Sequence, residues 1–238
     1  EELGRAFPNV PVISSAGDHV RASVGPEPAL VVATPGAEPV AFGGYAAALL
    51  LDADKMLRFD SLRAPEAALR RWLNAAALVR PAALEGTVVT TASPSPVEQA
   101  LVRWDPAWFA RQELEERAQT GLPPAVRTAA VTGAEADVRA FMEEFLGSSA
   151  LDERVREQLR IVGPVPLDQG YFAWSESLVE DSEEAPVQGD WRTLMFFSYS
   201  IAQQVTRELR ATRATIAALK KNVGERPVQI RCDGLDVL

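Results

Sequence analysis

Cysteine and histidine are almost absent from this sequence of 238 residues. The one cysteine, Cys232, excludes a disulfide within the chain and a zinc site built from several of its own cysteines. The one histidine, His19, stands in a polar stretch without a surrounding motif, and we interpret it as a surface residue. A histidine-based metal site or a Ser-His-Asp triad therefore has at most one candidate residue.

Long hydrophobic runs are also missing. No apolar stretch reaches the roughly 20 residues that a membrane-spanning helix needs, and the first residues do not resemble a signal peptide. Hydrophobic residues make up 47% of the chain and charged residues 24%, which is typical of a soluble globular protein. We therefore predict a cytoplasmic protein without a membrane partner, with one large domain or two of ordinary size.

The first part of the chain alternates short apolar runs with helical patterns, which predicts an α/β domain over residues 1–104. A helix is predicted over Pro65–Val79, with Leu69, Trp72, Leu73 and Ala76 along one stripe. The apolar runs are typical of strands that are buried on both faces of a mostly parallel sheet. These predicted strands are Val10–Ile13, Leu30–Thr34, Ala46–Leu51 and Thr87–Thr91.

A helix with clear start and stop signals is predicted in residues 105–123, which we interpret as a junction and linker. Asp105 can cap the first amides, Pro106 suits the first helical position, and Gly121 with the following prolines ends the helix. Trp104, Trp108, Leu114 and Ala118 are predicted to face the core, and two i,i+4 pairs to face solvent. These pairs are Arg111 with Glu115 and Glu113 with Arg117.

Residues 124–238 show a different order, β-α-β-β-α-β, which predicts a ferredoxin-like α+β domain with an antiparallel sheet. Its predicted strands are Val126–Thr132, Arg160–Val165, Arg192–Tyr199 and Val228–Asp233, and its predicted helices are Ala134–Leu146 and Ile201–Lys221. Residues 167–190 interrupt this pattern with seven acidic and no basic residues, so they supply seven of the nine net negative charges. We interpret them as an acidic insertion in a mobile loop between two strands.

Five motifs of this chain carry a resemblance to one protein family. The most specific is F-A-x-x-E-L-x-E-R-x-x-x-G-x-P-P, which runs from Phe109 to Pro124. The other four are E-E-L-x-x-x-F-P-x-V-P-V at Glu1–Val12, L-L-L-D-A-D at Leu49–Asp54, I-V-G-P-V-P at Ile161–Pro166 and P-V-Q-I-R-C-D at Pro227–Asp233. Together these motifs resemble the replication-restart primosomal helicase family, PriA, and the resemblance covers nearly the whole chain, apart from the acidic insertion.

This resemblance implies that residues 1–104 are part of a RecA-like second helicase lobe and that residues 124–238 are the family's C-terminal domain. It also implies a first motor lobe, a DNA-binding domain and the family's zinc site upstream, so we expect Glu1 to begin a fragment. ATP is the cofactor that the family implies, and we expect no cofactor in this fragment itself.

The family's second lobe completes an ATP site, and the corresponding positions here are degenerate. Alignment with the family pattern puts Leu78 and Pro81 where two arginines are expected, with Arg80 as the nearest cation. An arginine finger contributes about 10³- to 10⁵-fold in rate to phosphoryl transfer, so an inactive motor is expected. Thr34, Asp52, Asp54 and Arg80 form the predicted degenerate nucleotide site, although both aspartates also fit helix capping after a strand.

DNA contacts are predicted on the last helix, where five basic residues outnumber the single acid Glu208 and leave a net charge of plus four. The alternative is a solvated face whose charge suits the helix dipole. Arg192 stands where the family has a basic, aromatic-rich segment. The predicted DNA-binding residues are Arg192, Arg207, Arg210, Arg213, Lys220 and Lys221.

Three functions follow from these observations. The first is the C-terminal part of a PriA-like replication-restart protein, which binds forked or single-stranded DNA and primosome or replication proteins without unwinding. The second is an active ATP-dependent 3′-to-5′ DNA helicase in which Arg80 or a partner's residue replaces the arginine finger. The third is a protein-interaction module without a DNA role, which the acidic composition favours.

Overall fold

A computed structural model describes residues 5–58, 61–167, 189–219 and 227–234. The chain is a mixed α/β protein with short sheets, of which three are parallel and one is antiparallel. It divides into two compact units, residues 1–112 and residues 113–238. The division falls within the predicted junction helix, and the division into residues 1–104, 105–123 and 124–238 stays a prediction.

The first unit pairs its strands two by two. Strand β1 pairs with β3, β2 with β4, and β5 with β6, each in parallel. The strands are β1 (Val12–Ser15), β2 (Ser23–Val24), β3 (Leu30–Ala33), β4 (Val40–Ala41), β5 (Ala47–Leu50) and β6 (Thr87–Thr90). The helices are α1 (Ala53–Leu57), α2 (Ala64–Ala77), α3 (Pro96–Arg103) and α4 (Pro106–Thr120), the last of which crosses into the second unit, and a 3₁₀ turn spans Ala82–Leu84.

Helices supply most of the core of the first unit. Leu69, Trp72 and Ala76 of α2 are buried and Leu73 packs beside them, so the predicted stripe is confirmed. They pack with Ala53 and with residues of α3. Pro96 starts α3, where Ser95 Oγ accepts a hydrogen bond of 3.2 Å from the Glu98 amide as an N-cap.

The prediction of strands buried on both faces is wrong for the first unit. Val12 and Val32 are 41% and 42% exposed, and Leu49 and Val89 are 60% and 48% exposed. Val12 and Val32 lie on one face of the β1–β3 pair, and Leu49 is the register partner of Val89. The apolar sequence correctly indicated strands, but it cannot show whether a second layer covers them.

Helix α4 begins as predicted but buries other residues than predicted. The Trp108 amide donates to Asp105 Oδ1 over 2.8 Å, and Gly121 adopts a left-handed φ of 64° after the helix. Phe109 and Arg117 are its buried residues, whereas Leu114 is 49% exposed. The prediction that Trp104, Leu114 and Ala118 face the core is therefore wrong, because all three are exposed. The prediction that Arg117 faces solvent is also wrong, although its predicted pair with Glu113 is present. The hydrophobic spacing in α4 is too weak to identify its buried face.

The second unit contains one four-stranded antiparallel sheet with the order β10-β7-β9-β8. The predicted sequence of elements is present, with one additional short helix. The strands are β7 (Arg127–Gly133), β8 (Arg160–Pro166), β9 (Trp191–Phe197) and β10 (Gln229–Cys232), and the helices are α5 (Glu135–Gly147), α6 (Glu153–Glu157) and α7 (Ala202–Leu219).

The core of this unit lies between the sheet and helices α5 and α7. Phe141 and Phe145 of α5 pack against Val131 and Met195 of the sheet. Helix α7 buries an apolar stripe, in which Ile201, Val205 and Leu209 are buried and Ile216 packs beside them. Helix α7 is thereby held with one side on the sheet and the other side exposed.

A bulge interrupts β8 between Val162 and Val165, at the I-V-G-P-V-P motif. Gly163 has a φ of 103°, and a Cβ atom there would lie 2.6 Å from the Arg192 carbonyl oxygen. Only glycine fits this combination of conformation and close approach. After the bulge, the Leu167 amide donates to the Asp190 carbonyl over 2.9 Å, while most of the predicted acidic insertion, residues 168–188, lies outside the described residues.

Candidate nucleic-acid interface

A basic pocket of about 620 Å³ opens on the second unit beside the exposed side of α7. Its walls come from three separate parts of the chain: the start of β7, the turn and helix after β9, and β10. Of the described residues that line it, three are arginines and none is acidic. The residues that line the pocket include Arg127, Tyr199, Gln203, Arg210, Arg213 and Cys232.

Arg127 is fixed at the start of β7 by Asp233, which follows β10. Arg127 Nε donates to Asp233 Oδ2 over 2.5 Å, and the other carboxylate oxygen accepts the Thr128 amide over 3.0 Å. Hydrogen bonding to Asp233 raises the pKa of the Arg127 guanidinium above its ordinary value. Asp233 thus holds Arg127 in place and compensates part of its charge.

Arg210 and Arg213 provide the cations on the helical wall. Both side chains are exposed, and their spacing of three residues puts them on the same side of α7, with Cβ atoms about 5–6 Å apart. Among the described residues neither forms an ion pair within 4.0 Å. The two guanidinium groups are therefore available to an anionic ligand.

Tyr199 joins the pocket to the linker after α4. Its hydroxyl donates to the Pro124 carbonyl over 2.8 Å, and the residue is 58% exposed. The guanidinium carbon of Arg127 lies 5.7 Å from the ring centroid, within the range of a cation–π interaction. The sequence alone does not identify Tyr199 as a site residue, because its contacts come from residues more than 70 positions away.

Cys232 lies on the floor of the pocket as a free thiol. Burial raises its pKa, Asp233 raises it further, and the charges of Arg127 and Arg210 oppose this. The thiol therefore stays protonated at neutral pH, which makes it a poor nucleophile and a poor metal ligand. No group of three or more metal-ligating side chains occurs within the described ranges.

The other predicted DNA-binding residues lie outside this pocket. Arg207 is exposed on α7 but does not line it, and Lys220 and Lys221 lie outside the described residues. Arg192 is 5% exposed, and its Nε donates to Thr132 Oγ1 within the sheet over 3.4 Å. A guanidinium this buried is not available to a phosphate, so its predicted DNA contact is not supported.

The residues of the predicted nucleotide site do not form one cluster in the first unit. Asp54 accepts hydrogen bonds from the amide and hydroxyl of Ser93, at 2.8 and 2.6 Å, beyond the carboxyl end of β5. The Arg80 amide donates to the Tyr45 carbonyl, before the amino end of β5. A strand rises about 3.3 Å per residue, so the backbones of Tyr45 and Leu50 lie about 17 Å apart.

The two remaining residues of that prediction take part in local structure. Asp52 forms an ion pair of 2.8 Å with Lys55, and both side chains are more than 70% exposed. Thr34 follows β3, where its carbonyl accepts the Ala37 amide over 2.9 Å and its own amide donates to Ser15. Asp52 holds the N-cap position of α1 but makes no side-chain capping hydrogen bond, and Asp54 binds Ser93 instead, so the helix-capping alternative is not supported. A nucleotide role for the four residues stays a prediction.

The second unit matches a known protein family. Residues 118–235 match the family model of the primosomal protein N C-terminal domain. Over 171 residues, or 71% of its length, the chain is 50% identical to the probable replication restart protein PriA of Mycobacterium leprae, of which this covers 25%. It is also 50% identical over 171 residues to the protein of the same name from Mycobacterium tuberculosis, of which this covers 26%. The aligned part of the chain thus spans about a quarter of the length of these relatives.

Proposed function

Because the chain belongs to the PriA replication-restart family, we propose that it binds forked or single-stranded DNA through the basic pocket of its second unit. Arg210 and Arg213 contact phosphate in this proposal, while Arg127 completes the positive wall. In this proposal the protein acts in the cytoplasm, together with primosome and replication proteins.

The observation that carries this proposal is a pair of exposed arginines, Arg210 and Arg213, which have no ion-pair partner in the part of the chain that the structure describes and lie beside a third, fixed arginine. A phosphate that binds Arg210 and Arg213 releases counterions from the DNA, which is the dominant source of affinity for a polyanion. Since a solvated helix face needs no concave site, the pocket formed with Arg127 and Tyr199 favours ligand binding over that alternative.

We assign the two units to the architectures that the family resemblance implies. The four-stranded order β10-β7-β9-β8, with every pair antiparallel, supports a ferredoxin-like fold for the second unit. The parallel pairs and helices of the first unit support a RecA-like second helicase lobe.

The proposed activity is binding without unwinding. Leu78 and Pro81 occupy the positions where the family pattern has arginines, and an arginine finger contributes about 10³- to 10⁵-fold in rate. Arg80, the candidate replacement, has its backbone fixed before the amino end of β5. A chain of this kind positions a fork for other replication proteins rather than translocating along it with ATP.

The test replaces the arginines of the pocket and measures binding to labelled forked DNA over a range of salt concentrations. We expect Arg210→Ala and Arg213→Ala each to weaken binding about equally for all sequences, because phosphate contacts carry no base information. Each substitution should also reduce the slope of log K against log salt by about 0.7–0.9.

Arg154→Ala is the matched control, because Arg154 is an exposed arginine of α6 that does not line the pocket. It should leave both affinity and salt slope nearly unchanged. If the two pocket variants remain folded and bind forked DNA like the unsubstituted chain, the DNA-binding proposal is wrong.

A further inference from the structure

We propose that the pocket selects single-stranded nucleic acid by stacking one unpaired base on Tyr199 while Arg210 and Arg213 hold the adjacent backbone. This inference rests on the proposed DNA-binding function and names the form of DNA that the same site accepts. It adds an aromatic subsite to the basic surface. Charge alone would not distinguish single-stranded from double-stranded DNA.

The ring of Tyr199 is both accessible and fixed. Tyr199 as a whole is 58% exposed at the wall of the pocket, although its hydroxyl donates to the Pro124 carbonyl over 2.8 Å. This hydrogen bond fixes the orientation of the ring, and because Arg127 lies over one face, the proposed base stacks on the opposite face. An exposed aromatic ring held in one orientation loses little conformational freedom when a base stacks on it.

The cations beside the ring have different tasks. Arg127 lies 5.7 Å from the ring centroid and is paired with Asp233, so it supports the aromatic wall. Arg210 and Arg213 have no ion-pair partner among the described residues and remain for phosphate. A flat aromatic surface flanked by free arginines is the combination that binds single strands without sequence preference.

The dimensions of the pocket also favour a base together with its phosphate. Its volume of about 620 Å³ is much larger than one phosphate group needs, and it falls within the range of small-molecule sites, about 300–1,000 Å³. In a duplex the faces of the bases are covered by their neighbours, so only an unpaired base can present its face to Tyr199. The same site should therefore discriminate against blunt duplex DNA.

The test compares a labelled oligo-dT strand with a blunt duplex of the same length, using the complete 238-residue chain. Tyr199→Leu removes the ring, and we expect it to weaken binding of the single strand about 5- to 140-fold, as loss of one stacked base does. Duplex binding should change little, and the salt slope should stay the same because no charge is lost. A fluorescent adenine analogue in the strand should be quenched by the unsubstituted chain and much less by the variant.

Tyr199→Phe separates stacking from structure, since it keeps the ring and loses only the hydrogen bond to Pro124. It should retain most of the single-strand affinity and the quenching. Phe42→Leu is the control for loss of an aromatic ring elsewhere, because Phe42 is 80% exposed in the first unit. This control should leave binding unchanged, and circular dichroism should show that all three variants are folded.

The outcomes separate this inference from the function on which it rests. If the arginine variants weaken binding while Tyr199→Leu affects single strand and duplex equally or not at all, only the stacking inference is wrong. If the arginine variants have no effect on any DNA, the proposed function is wrong as well. If a poly-glutamate peptide binds at the pocket and the oligo-dT strand does not, the site takes acidic peptides and both proposals are overturned.

Discussion

Asp233 and Tyr199 each contact two groups from distant segments of the second unit. Asp233 ends a family motif, and the structure shows that its two carboxylate oxygens bind Arg127 and the Thr128 amide. Tyr199 belongs to no motif, yet it contacts Arg127 and Pro124 and lines the pocket. Arg210 and Arg213 could be selected from sequence because charge along a helix is visible there, whereas contacts between distant segments are not.

The carboxylate of Asp54 gives a prediction about pH at this scale. Hydrogen bonds from the hydroxyl and then the amide of Ser93 lower the pKa of Asp54 below its ordinary value. The pKa is lower in the folded state, so the contribution to stability is present above the ordinary aspartate pKa of about 3.9 and is lost as the pH falls through the folded pKa.

We therefore expect Asp54→Asn to reduce the free energy of unfolding at neutral pH, with a difference from the unsubstituted chain that shrinks below about pH 4. Urea titrations at a series of pH values measure this difference. Asparagine keeps only one of the two acceptor oxygens that bind Ser93 and cannot titrate. The pH dependence of the difference, rather than its size at neutral pH, therefore reports the titration of the carboxylate. A difference that is constant down to the lowest pH would show that titration of Asp54 is not linked to folding.

At the scale of elements, α4 and the linker after it explain why the junction motif contains the residues it does. Four of the five carbonyl groups from Thr120 to Pro124 accept hydrogen bonds from side chains of the second unit. Arg160 donates to the carbonyls of Thr120 and Gly121, Arg117 donates to that of Pro123, and Tyr199 donates to that of Pro124. The carbonyl of the last helical residue, Thr120, and those of the linker thus bind arginine and tyrosine side chains.

The start and stop of α4 could be predicted from sequence because capping is a local property. Asp105, Pro106 and Gly121 act on their immediate neighbours, and their predicted roles agree with the structure. Which side of α4 is buried depends on distant elements. The buried side proved to include the charged Arg117, which no hydrophobic periodicity indicates.

The pair of Arg117 and Glu113 supplies a prediction for this element. Their side chains are 7% and 22% exposed and lie 2.8 Å apart. We expect Arg117→Ala to lower the free energy of unfolding by about 3 kcal/mol, because it leaves a largely buried carboxylate without its partner. Urea denaturation followed by circular dichroism measures this loss.

The matched control is Arg139→Ala in α5, which breaks another i,i+4 pair of 2.8 Å whose side chains are 57% and 43% exposed. This exposed pair should contribute less than about 1 kcal/mol, even though Arg139 also lies 5.8 Å from the Trp191 ring. If Arg117→Ala and Arg139→Ala lowered the free energy of unfolding equally, burial would not strengthen the pair in the junction.

On the scale of the whole molecule, charge is distributed unevenly. The chain has a net charge of minus nine, of which residues 167–190 supply seven negative charges. The arginine pocket is therefore a local exception in an acidic protein. Long-range attraction of DNA should be weak, and binding should depend on close contacts within the pocket. The described helices include none that is long and apolar enough to cross a bilayer.

The sequence predicted the order of elements better than the extent of burial at this scale. In the second unit the predicted strands and helices correspond to one sheet and its helices. Hydrophobic periodicity identifies such elements well, because each of them has a single buried face. In the first unit continuous apolar runs were interpreted as doubly buried strands, whereas one side of β5 and β6 is exposed. Apolar residues in a strand favour burial, but they do not show whether another element packs on that face.

The prolines of β8 have a consequence for how copies of the protein behave toward one another. Among the described strands β8 is an edge strand of its sheet, and its Val162 and Val165 are 47% and 48% exposed. An apolar edge strand is a template on which another chain can add a strand. Pro164 and Pro166 have no amide hydrogen, so the row of donors that such a template needs is broken at two places.

Pro166→Val should therefore increase self-association as the protein concentration rises, because it restores a donor and adds a β-branched side chain to the edge strand. Sedimentation velocity over a range of concentrations measures this, with Pro81→Val as the control for the same exchange at an exposed site of the first unit. Equal behaviour of the two variants would contradict the idea. If the idea is right, these prolines keep each molecule a separate particle at high concentration, independently of any contact with DNA.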